Sequence, residues 1–313
     1  MKLARVAWDL WCCCSLIGLW PRYIEPRWLS TSRWQQSLVG LDPALDGFKV
    51  LQLSDLHLTS ETSSRYLSRI ARKVAHWKPD LIVFTGDFIS YARLEPSDAD
   101  RLGTFLQELK APHGCYAVLG NHDYEKYVTK VGRDHYVVAE PPEHPIWCSV
   151  SRIFGLRPFI PKEPLPELQI HPELEALLKE TDIHLLENRT VQIAGRLNLC
   201  GVGEHWVGRC WPHKAFADYN PAYCGLVLAH NPDAVPALES YPGQLILCGH
   251  THGGQVNLPW LWKKLTPLDN PIYKSGCVTL GDKQVYTNRG LGGPLSFRWF
   301  SPPEILQLTL RVA

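Results

Sequence analysis

The chain contains 313 residues, 45% hydrophobic and 20% charged, a globular composition that excludes wholesale disorder, collagen and coiled coil. Its 32 basic and 31 acidic residues give a net charge of +1, which predicts no nucleic-acid partner unless a local basic patch exists. None of the ten cysteines forms a C-x-x-C pair, which favours reduced thiols and a catalytic body in the cytosol.

The N-terminal segment, predicted to extend over residues 1–45, is apolar between residues 6 and 20 apart from Asp9. That run is shorter than the ~20 apolar residues of a membrane-spanning helix, and no small-x-small cleavage site of a signal peptide follows it. Basic and aromatic side chains flank the run, which favours association with a membrane. An amphipathic helix packed on the protein's own body is the alternative, and both spanning and surface-lying arrangements stay open.

From Phe48 onward, apolar runs and helical periodicities alternate along the chain. Strands are predicted at 49–53, 80–85 and 115–119, and helices at 62–77 and 102–109. The run at 80–85 is continuously apolar, which indicates a strand buried on both faces. The alternation of strands and helices predicts parallel pairing with right-handed crossovers.

Residues 125–170 interrupt this alternation and predict an insertion or cap, because so long a stretch without periodicity is usually functional or disordered. Residues 141–166 interleave large apolar side chains, including Phe154 and Phe159, with basic ones. Such an element suits a membrane surface or a cap over acyl chains, and a satellite core on the domain is the alternative. Further along, the sequence predicts a helix near 172–180 and strands near 183–193, 197–202, 225–229, 244–248, 277–280, 284–287 and 304–310.

Five short motifs containing metal-ligand residue types come directly after predicted strands. In chain order they are Asp55-Leu56-His57, Gly86-Asp87, Gly120-Asn121-His122-Asp123, His230-Asn231 and Gly249-His250-Thr251-His252-Gly253-Gly254. Taken singly, most of them have a plain explanation as a turn or a structural histidine. The last is stronger, because flanking glycines let the backbone approach an ion or phosphate closely. All five together, at strand ends of a parallel sheet, indicate one metal site.

This order of motifs resembles that of the calcineurin-like metallophosphoesterases, and the resemblance covers about 48–313. Residues 287–293 and 301–305 resemble the membrane-associated bacterial branch of that family. Residues 214–221, together with the long region at 125–180, resemble its chlamydial UDP-2,3-diacylglucosamine pyrophosphatases.

The resemblance implies an α/β fold in which a sandwich of two β-sheets is flanked by helices. The catalytic domain would occupy residues 46–313 and carry the insertion or cap at about 125–170. The N-terminal hydrophobic segment would lie outside that domain.

Ligand positions carry over from the family's motifs. One divalent ion would be held by Asp55, His57, Asp87 and His252, and the other by Asp87, Asn121, His230 and His250. Asp87 would then bridge the two ions, which requires a carboxylate with two oxygens. The resemblance implies manganese, and this ligand set is also compatible with iron or zinc.

Three more residues receive roles from the same resemblance. His122 would give a proton or hydrogen bond to the leaving group, and Asp123 would orient its imidazole. Arg289, in a loop flanked by glycine, would bind substrate phosphate, although a plain surface arginine is an equally supported alternative. The same two alternatives hold for Arg298. Glu204 and His205, after a predicted strand end, could line the pocket.

The expected reaction is cleavage of the diphosphate of UDP-2,3-diacylglucosamine, a step of lipid A biosynthesis, to UMP and 2,3-diacylglucosamine 1-phosphate. The expected partners are this lipid-linked nucleotide and the membrane surface, at the cytoplasmic face of a bacterial inner membrane. A phosphodiesterase or phosphatase acting on another phospholipid or nucleotide is the nearest alternative. A non-catalytic scaffold of the same fold is a further one, but such a protein is expected to lack ligands that are all present here.

Overall fold

A computed structural model of the protein describes residues 2–132, 135–142 and 162–313. Its helices are α1 (Lys2–Leu19), α2 (Ser64–Trp77), α3 (Pro96–Gln107), α4 (Pro172–Glu180), α5 (Pro212–Ala215), α6 (Val235–Leu238) and α7 (Trp262–Leu265). Its strands are β1 (Ser30–Leu38), β2 (Lys49–Leu53), β3 (Leu81–Thr85), β4 (Cys115–Val118), β5 (Val128–Gly132), β6 (His135–Ala139), β7 (Lys162–Pro164), β8 (Ile183–Leu185), β9 (Arg189–Ile193), β10 (Leu197–Gly201), β11 (Gly225–Leu228), β12 (Leu245–Cys248), β13 (Gly276–Leu280), β14 (Lys283–Thr287) and β15 (Glu304–Val312).

The strands form two six-stranded sheets and a small three-stranded one. The first sheet has the order β1-β15-β2-β3-β4-β8, the second β13-β14-β12-β11-β10-β9, and the third β5-β6-β7. Within the first sheet β2, β3, β4 and β8 are parallel neighbours, and within the second β14, β12, β11 and β10 are. The predicted α/β fold, with two sheets flanked by helices, is confirmed.

Alternation of side chains along the strands builds a core on each face of the first sheet. In β15, Leu306 and Leu308 belong to the core shared by the two large sheets, whereas Ile305 belongs to the core beneath the helices. Helix α2 contributes Ile70 and Val74 to that second core, as its spacing predicts. The two sheets are therefore fixed against each other, with the ends of their parallel strands brought close together.

Most predicted elements lie within a few residues of their observed bounds, but two parts of the chain differ. The strand predicted over 183–193 is two strands, β8 and β9, which belong to different sheets. Residues 128–132 and 135–139 form the paired strands β5 and β6, where only an insertion was predicted. Most of the predicted apolar element at 141–166, including Phe154 and Phe159, lies outside the described residues.

Strand β1 was not predicted, and it lies ahead of the domain boundary predicted at residue 46. Its sequence, STSRWQQSL, lacks a regular apolar alternation. It pairs in parallel with β15 along its nine residues, from Ser30 opposite Glu304 to Leu38 opposite Val312. Part of the predicted N-terminal segment therefore belongs to the first sheet. Backbone pairing with β15, rather than an apolar side-chain pattern, makes these residues a strand.

The part of the chain before β1 combines an exposed helix with a firmly bonded turn. Trp8, Trp11 and Leu16 of α1 are large apolar side chains exposed to solvent. Among the described residues, no helix has the length and apolar character needed to cross a membrane. The following turn is held by Glu25, which is buried and accepts hydrogen bonds from the Trp20 indole at 2.9 Å and the backbone N–H of Ser301 at 2.5 Å.

Candidate metal centre

The five motifs meet where strands from both large sheets end. Asp55, Asp87 and Asn121 follow β2, β3 and β4, and His230 and His250 follow β11 and β12. Every predicted ligand is buried, with at most 8% of its surface exposed. Burial of so many polar groups is costly unless they bind one another or a common ligand. The predicted residues are thus brought together in one buried cluster.

One half of the cluster centres on two histidines. The Nε2 atoms of His57 and His252 lie 3.2 Å apart. Nε2 of His57 is 3.1 Å from Oδ2 of Asp87, and Nε2 of His252 is 3.7 Å from Oδ1 of Asp55. These four side chains are the set that the sequence assigned to the first ion.

The other half contains the remaining predicted ligands. Nδ1 of His250 lies 3.0 Å from Oδ1 of Asn121 and 3.2 Å from Nε2 of His230. Nε2 of His230 is 3.3 Å from Oδ2 of Asp87. One oxygen of Asp87 is therefore near both halves, which is the position that a bridging ligand requires.

These distances fit two divalent ions. Ligand atoms about 2.1 Å from one ion lie roughly 3 Å from each other, close to the separations in both halves. Nε2 of His57 and Nε2 of His252 face each other beside the carboxylates of Asp87 and Asp55, and a set of imidazole and carboxylate groups suits a divalent cation. Imidazole, carboxylate and amide donors match manganese, iron or zinc.

Several ligands adopt a strained backbone conformation. Residues with positive φ are Asp55 (50°), His57 (45°), Asp87 (57°), His250 (69°) and His252 (51°). Non-glycine residues rarely occupy this left-handed region, and the strain is typical of functional sites. Asp55 helps to fix it, because both of its carboxylate oxygens accept the N–H of His250, at 2.9 and 3.0 Å. A Cβ on Gly249 would lie 2.0 Å from the Ser54 hydroxyl, so only glycine allows this approach.

The other ring nitrogens of two ligand histidines contact neighbouring groups. Nδ1 of His230 donates to the carbonyl of Thr85 at 2.7 Å, which leaves its Nε2 lone pair for an ion. Nδ1 of His252 lies 3.2 Å from the guanidinium of Arg298. Because a guanidinium only donates, this contact places the proton of a neutral His252 ring on Nε2, so an ion bound at Nε2 would displace the contact. Arg298 is buried, so the surface alternative for this residue is wrong, and its observed contact is with a predicted ligand. Nothing in its local sequence separates it from a surface arginine.

His122 lies beside the cluster with its proton position fixed. Its Nδ1 accepts the backbone N–H of Tyr91 at 2.7 Å, so the proton of the neutral ring resides on Nε2. Burial lowers the pKa of His122 to about 3, which keeps the ring neutral. The rings of Tyr91 and Tyr127 lie 5.1 and 5.2 Å from it. The side chain is therefore a neutral donor held at the edge of the predicted metal centre.

Asp123, which was predicted to orient the imidazole of His122, binds backbone N–H groups instead. Its carboxylate accepts four backbone N–H groups, those of Asp87, Phe88, Ile89 and Gly120, at 2.7 to 3.2 Å. Burial raises the pKa of Asp123 to about 7, although its N–H donors favour the ionised form. A hydroxyl on either oxygen would direct its hydrogen at an N–H group, so this geometry accommodates the carboxylate. Asp123 ties the loop that bears Asp87 to the loop that bears Asn121.

Arg289 is also engaged by groups other than those expected. Its Nε donates to the carbonyl of Pro302 at 3.1 Å, and Nη2 donates to the hydroxyl of Ser30 at 3.0 Å. Nη1 lies 3.6 Å from the carboxylate of Glu304. These contacts hold the start of β1 against β15, and binding of substrate phosphate by Arg289 stays a prediction.

A further group near the cluster comes from the loop after β10. The Trp206 ring packs edge-on against His250, with centroids 4.4 Å apart, and the Tyr136 ring stacks on Trp206. Glu204 is buried, and one of its oxygens accepts the N–H of Val207. Burial raises the pKa of Glu204 to about 7. Glu204, which was expected to line the pocket, is thus buried inside the protein. Trp206 was not predicted to take part in the site, but it contacts a predicted ligand.

Comparison with known proteins extends the likeness beyond the motifs. The sequence profile of calcineurin-like phosphoesterases matches residues 48–254. The UDP-2,3-diacylglucosamine pyrophosphatase LpxG of Chlamydia muridarum is 36% identical over 93% of this chain and 92% of its own length. LpxG of Chlamydia trachomatis is 35% identical over the same shares, and the phosphodiesterase YaeI of Escherichia coli is 28% identical over 92% and 90%. The similarity therefore covers nearly the whole chain.

Proposed function

This chain belongs to the calcineurin-like phosphoesterase family and is a metal-dependent hydrolase, and we propose that it cleaves the diphosphate of UDP-2,3-diacylglucosamine. The products would be UMP and 2,3-diacylglucosamine 1-phosphate, in lipid A biosynthesis. The identity of 36% with a pyrophosphatase of this specificity, over nearly the full length of both chains, carries the proposal.

The buried cluster contains the side chains that would hold the two ions needed for such a reaction. Asp55, His57 and His252 would hold one ion, Asn121, His230 and His250 the other, and Asp87 both. When bound, two divalent ions supply Lewis acidity toward phosphoryl oxygens and lower the pKa of water. Manganese is the metal that we propose, on the resemblance alone, with iron and zinc as alternatives.

The protein's own contribution to leaving-group departure would come from His122. Because Nδ1 accepts the Tyr91 N–H, the Nε2–H bond is the one available to a substrate oxygen. A neutral imidazole can stabilise the charge that develops on the leaving oxygen by donating a hydrogen bond through this N–H. Its backbone N–H also donates to Oδ1 of Asp87 at 2.9 Å, which fixes the donor relative to the bridging carboxylate.

A lipid-linked substrate requires the enzyme to work at a membrane, and we place it at the cytoplasmic face of a bacterial inner membrane. Exposed Trp8, Trp11 and Leu16 on α1 support this location, because exposed aromatic and aliphatic side chains on one helix are typical of segments that bind at the lipid interface. Reduced cysteines agree with the cytoplasmic side, since the described cysteines are all free thiols.

The test is a side-by-side assay of the purified full chain with added Mn²⁺. The substrates are UDP-2,3-diacylglucosamine in mixed micelles, bis-p-nitrophenyl phosphate and p-nitrophenyl phosphate, with the Asp87→Ala protein as the inactive control. We expect release of UMP and the lipid monophosphate from the first substrate, at a kcat/KM well above those for the other two.

A second candidate function is phosphodiester hydrolysis on another phospholipid or a nucleotide. The 28% identity with the phosphodiesterase YaeI over most of the chain favours it. Rapid cleavage of bis-p-nitrophenyl phosphate with no release of UMP from the diacylated substrate would select this function over the pyrophosphatase.

A further inference from the structure

Two large aromatic side chains project into solvent from neighbouring loops near the metal centre. Trp260 is 69% exposed and Phe300 is 61% exposed. The loops are joined by hydrogen bonds from Asn257, whose backbone N–H donates to the Trp299 carbonyl at 2.8 Å and whose amide donates to the Phe300 carbonyl at 3.2 Å. We call Trp260 and Phe300 the aromatic patch. Exposed aromatic groups on two loops that are joined in this way are a candidate surface for contact with a partner.

The backbone conformation of Phe300 is one that glycine would adopt more easily than a bulky residue. Its φ is 56°, in the left-handed region that bulky residues rarely occupy because it is strained for them. Glycine would adopt this conformation without strain. The neighbouring Trp299 ring stacks against Phe300, with centroids 5.7 Å apart. The ring of Phe300 is exposed and packs into no hydrophobic core, so it does not explain the strain by stabilising the fold. A strained residue of this kind points to contact with another molecule.

The aromatic patch adjoins the turn that follows α1, residues 20–28, which we call the N-terminal turn. The backbone N–H of Arg298, two residues before Phe300, donates to the carbonyl of Pro21 at 2.8 Å. Tyr23 and Trp28, on the same turn, are 53% and 57% exposed. The N-terminal turn and the loop of Phe300, which both carry exposed aromatic side chains, are therefore joined by a backbone hydrogen bond.

Basic side chains identify the kind of partner. Lys263 and Lys264 are exposed and directly follow the Trp260 loop, and Arg27 lies on the N-terminal turn. Aromatic rings with lysine and arginine beside them suit the headgroup level of a bilayer that carries anionic lipid, where each basic residue strengthens binding. A protein partner would require a matching shape, whereas a bilayer requires only this chemistry.

We propose that the aromatic patch and the N-terminal turn form one surface that rests on an anionic lipid bilayer. A cleft that reaches His57 is lined by Arg27, Tyr66 and Arg298, so it opens next to this surface. The arrangement would let a lipid headgroup enter the metal centre while its acyl chains stay in the bilayer. The inference rests on the membrane association in the proposed function, and it adds the loops that make the contact.

The experiment measures binding of the full chain to vesicles of phosphatidylethanolamine with phosphatidylglycerol, by co-sedimentation, without any substrate. The test variant carries Trp260→Ser and Phe300→Gly, and the control carries Ile272→Ser, which removes another exposed apolar side chain. We expect the test variant to bind about tenfold more weakly or worse, since each lost aromatic group removes a contact of that order. The melting temperature of Phe300→Gly alone should equal or exceed that of the wild type, because the strain is relieved.

Each other result overturns the inference in a recognisable way. Equal vesicle binding by the test variant and the wild type would show that these loops do not touch lipid. A lower melting temperature for Phe300→Gly would show that the ring is part of the fold. A change from dimer to monomer in the test variant, with vesicle binding intact, would identify a second copy as the partner. A wild type that binds no vesicles would overturn membrane association as well, whereas failed hydrolysis with normal vesicle binding would refute only the proposed reaction.

Discussion

Replacing Asp123 by asparagine tests the finding that its carboxylate joins two ligand loops. Oδ2 accepts the N–H groups of Asp87 and Gly120, and Oδ1 accepts those of Phe88 and Ile89. An asparagine retains one oxygen and places an NH₂ group against the other pair, so two buried N–H groups lose their acceptor. Each such loss costs about 1–3 kcal/mol, so unfolding should become easier by about 2–6 kcal/mol. At roughly 2 °C per kcal/mol for a chain of this size, the melting temperature should fall by about 4–12 °C.

The measurement is calorimetry of the metal-free protein, followed by metal content after incubation with Mn²⁺. Asp182→Asn is the matched control, because Asp182 pairs with Lys110 on an exposed surface and its loss should leave the melting temperature unchanged. Bound metal should also decrease in the Asp123 variant, since the loops of Asp87 and Asn121 are no longer tied together. A variant with unchanged stability and metal content but slow turnover would refute this reasoning and restore the role of orienting His122.

Asp87→Ala should lower bound metal from two ions toward one or none and abolish hydrolysis, as measured by elemental analysis and UMP release; full metal content would exclude a bridging role. His122→Ala should keep its metal while turnover falls by ~10²–10⁴. Loss of metal in that variant would instead make His122 a ligand. Glu25→Gln should lower the free energy of unfolding by about 1–3 kcal/mol, because one amide oxygen cannot accept from both Trp20 and Ser301. Unchanged urea denaturation would contradict that account.

The parts of the fold that could be predicted are those in which local pattern and tertiary environment agree. Strand β2 has its predicted bounds because a short apolar run followed by a polar turn is buried on both faces. The metal cluster could be located because parallel strands direct their carboxyl ends to one edge, where five motifs then meet. These inferences need only the order of elements along the chain.

The parts that could not be predicted depend on partners distant in the sequence. The N–H donors of Asp123 include those of residues 87 to 89, which lie 34 to 36 positions away. Arg298 resembles any arginine of a polar loop until the fold places it against His252. Strand β1 is specified by the free edge of β15 rather than by its own pattern. In each case the side-chain type permits many partners, and only the path of the backbone selects one.

The connection between the N-terminal turn and the metal centre follows from one short loop. The backbone of Ser301 donates to Glu25, and its hydroxyl donates to the carbonyl of His252 at 2.6 Å. The same loop places Arg298 against His252 and holds Phe300 toward solvent. Any change that loosens the turn is therefore transmitted to a predicted ligand by two hydrogen-bonded residues. For the same reason, we expect a deletion that ends at Leu19 to leave the catalytic body folded. A longer deletion would remove the bonds of Glu25 and then the strand that pairs with β15.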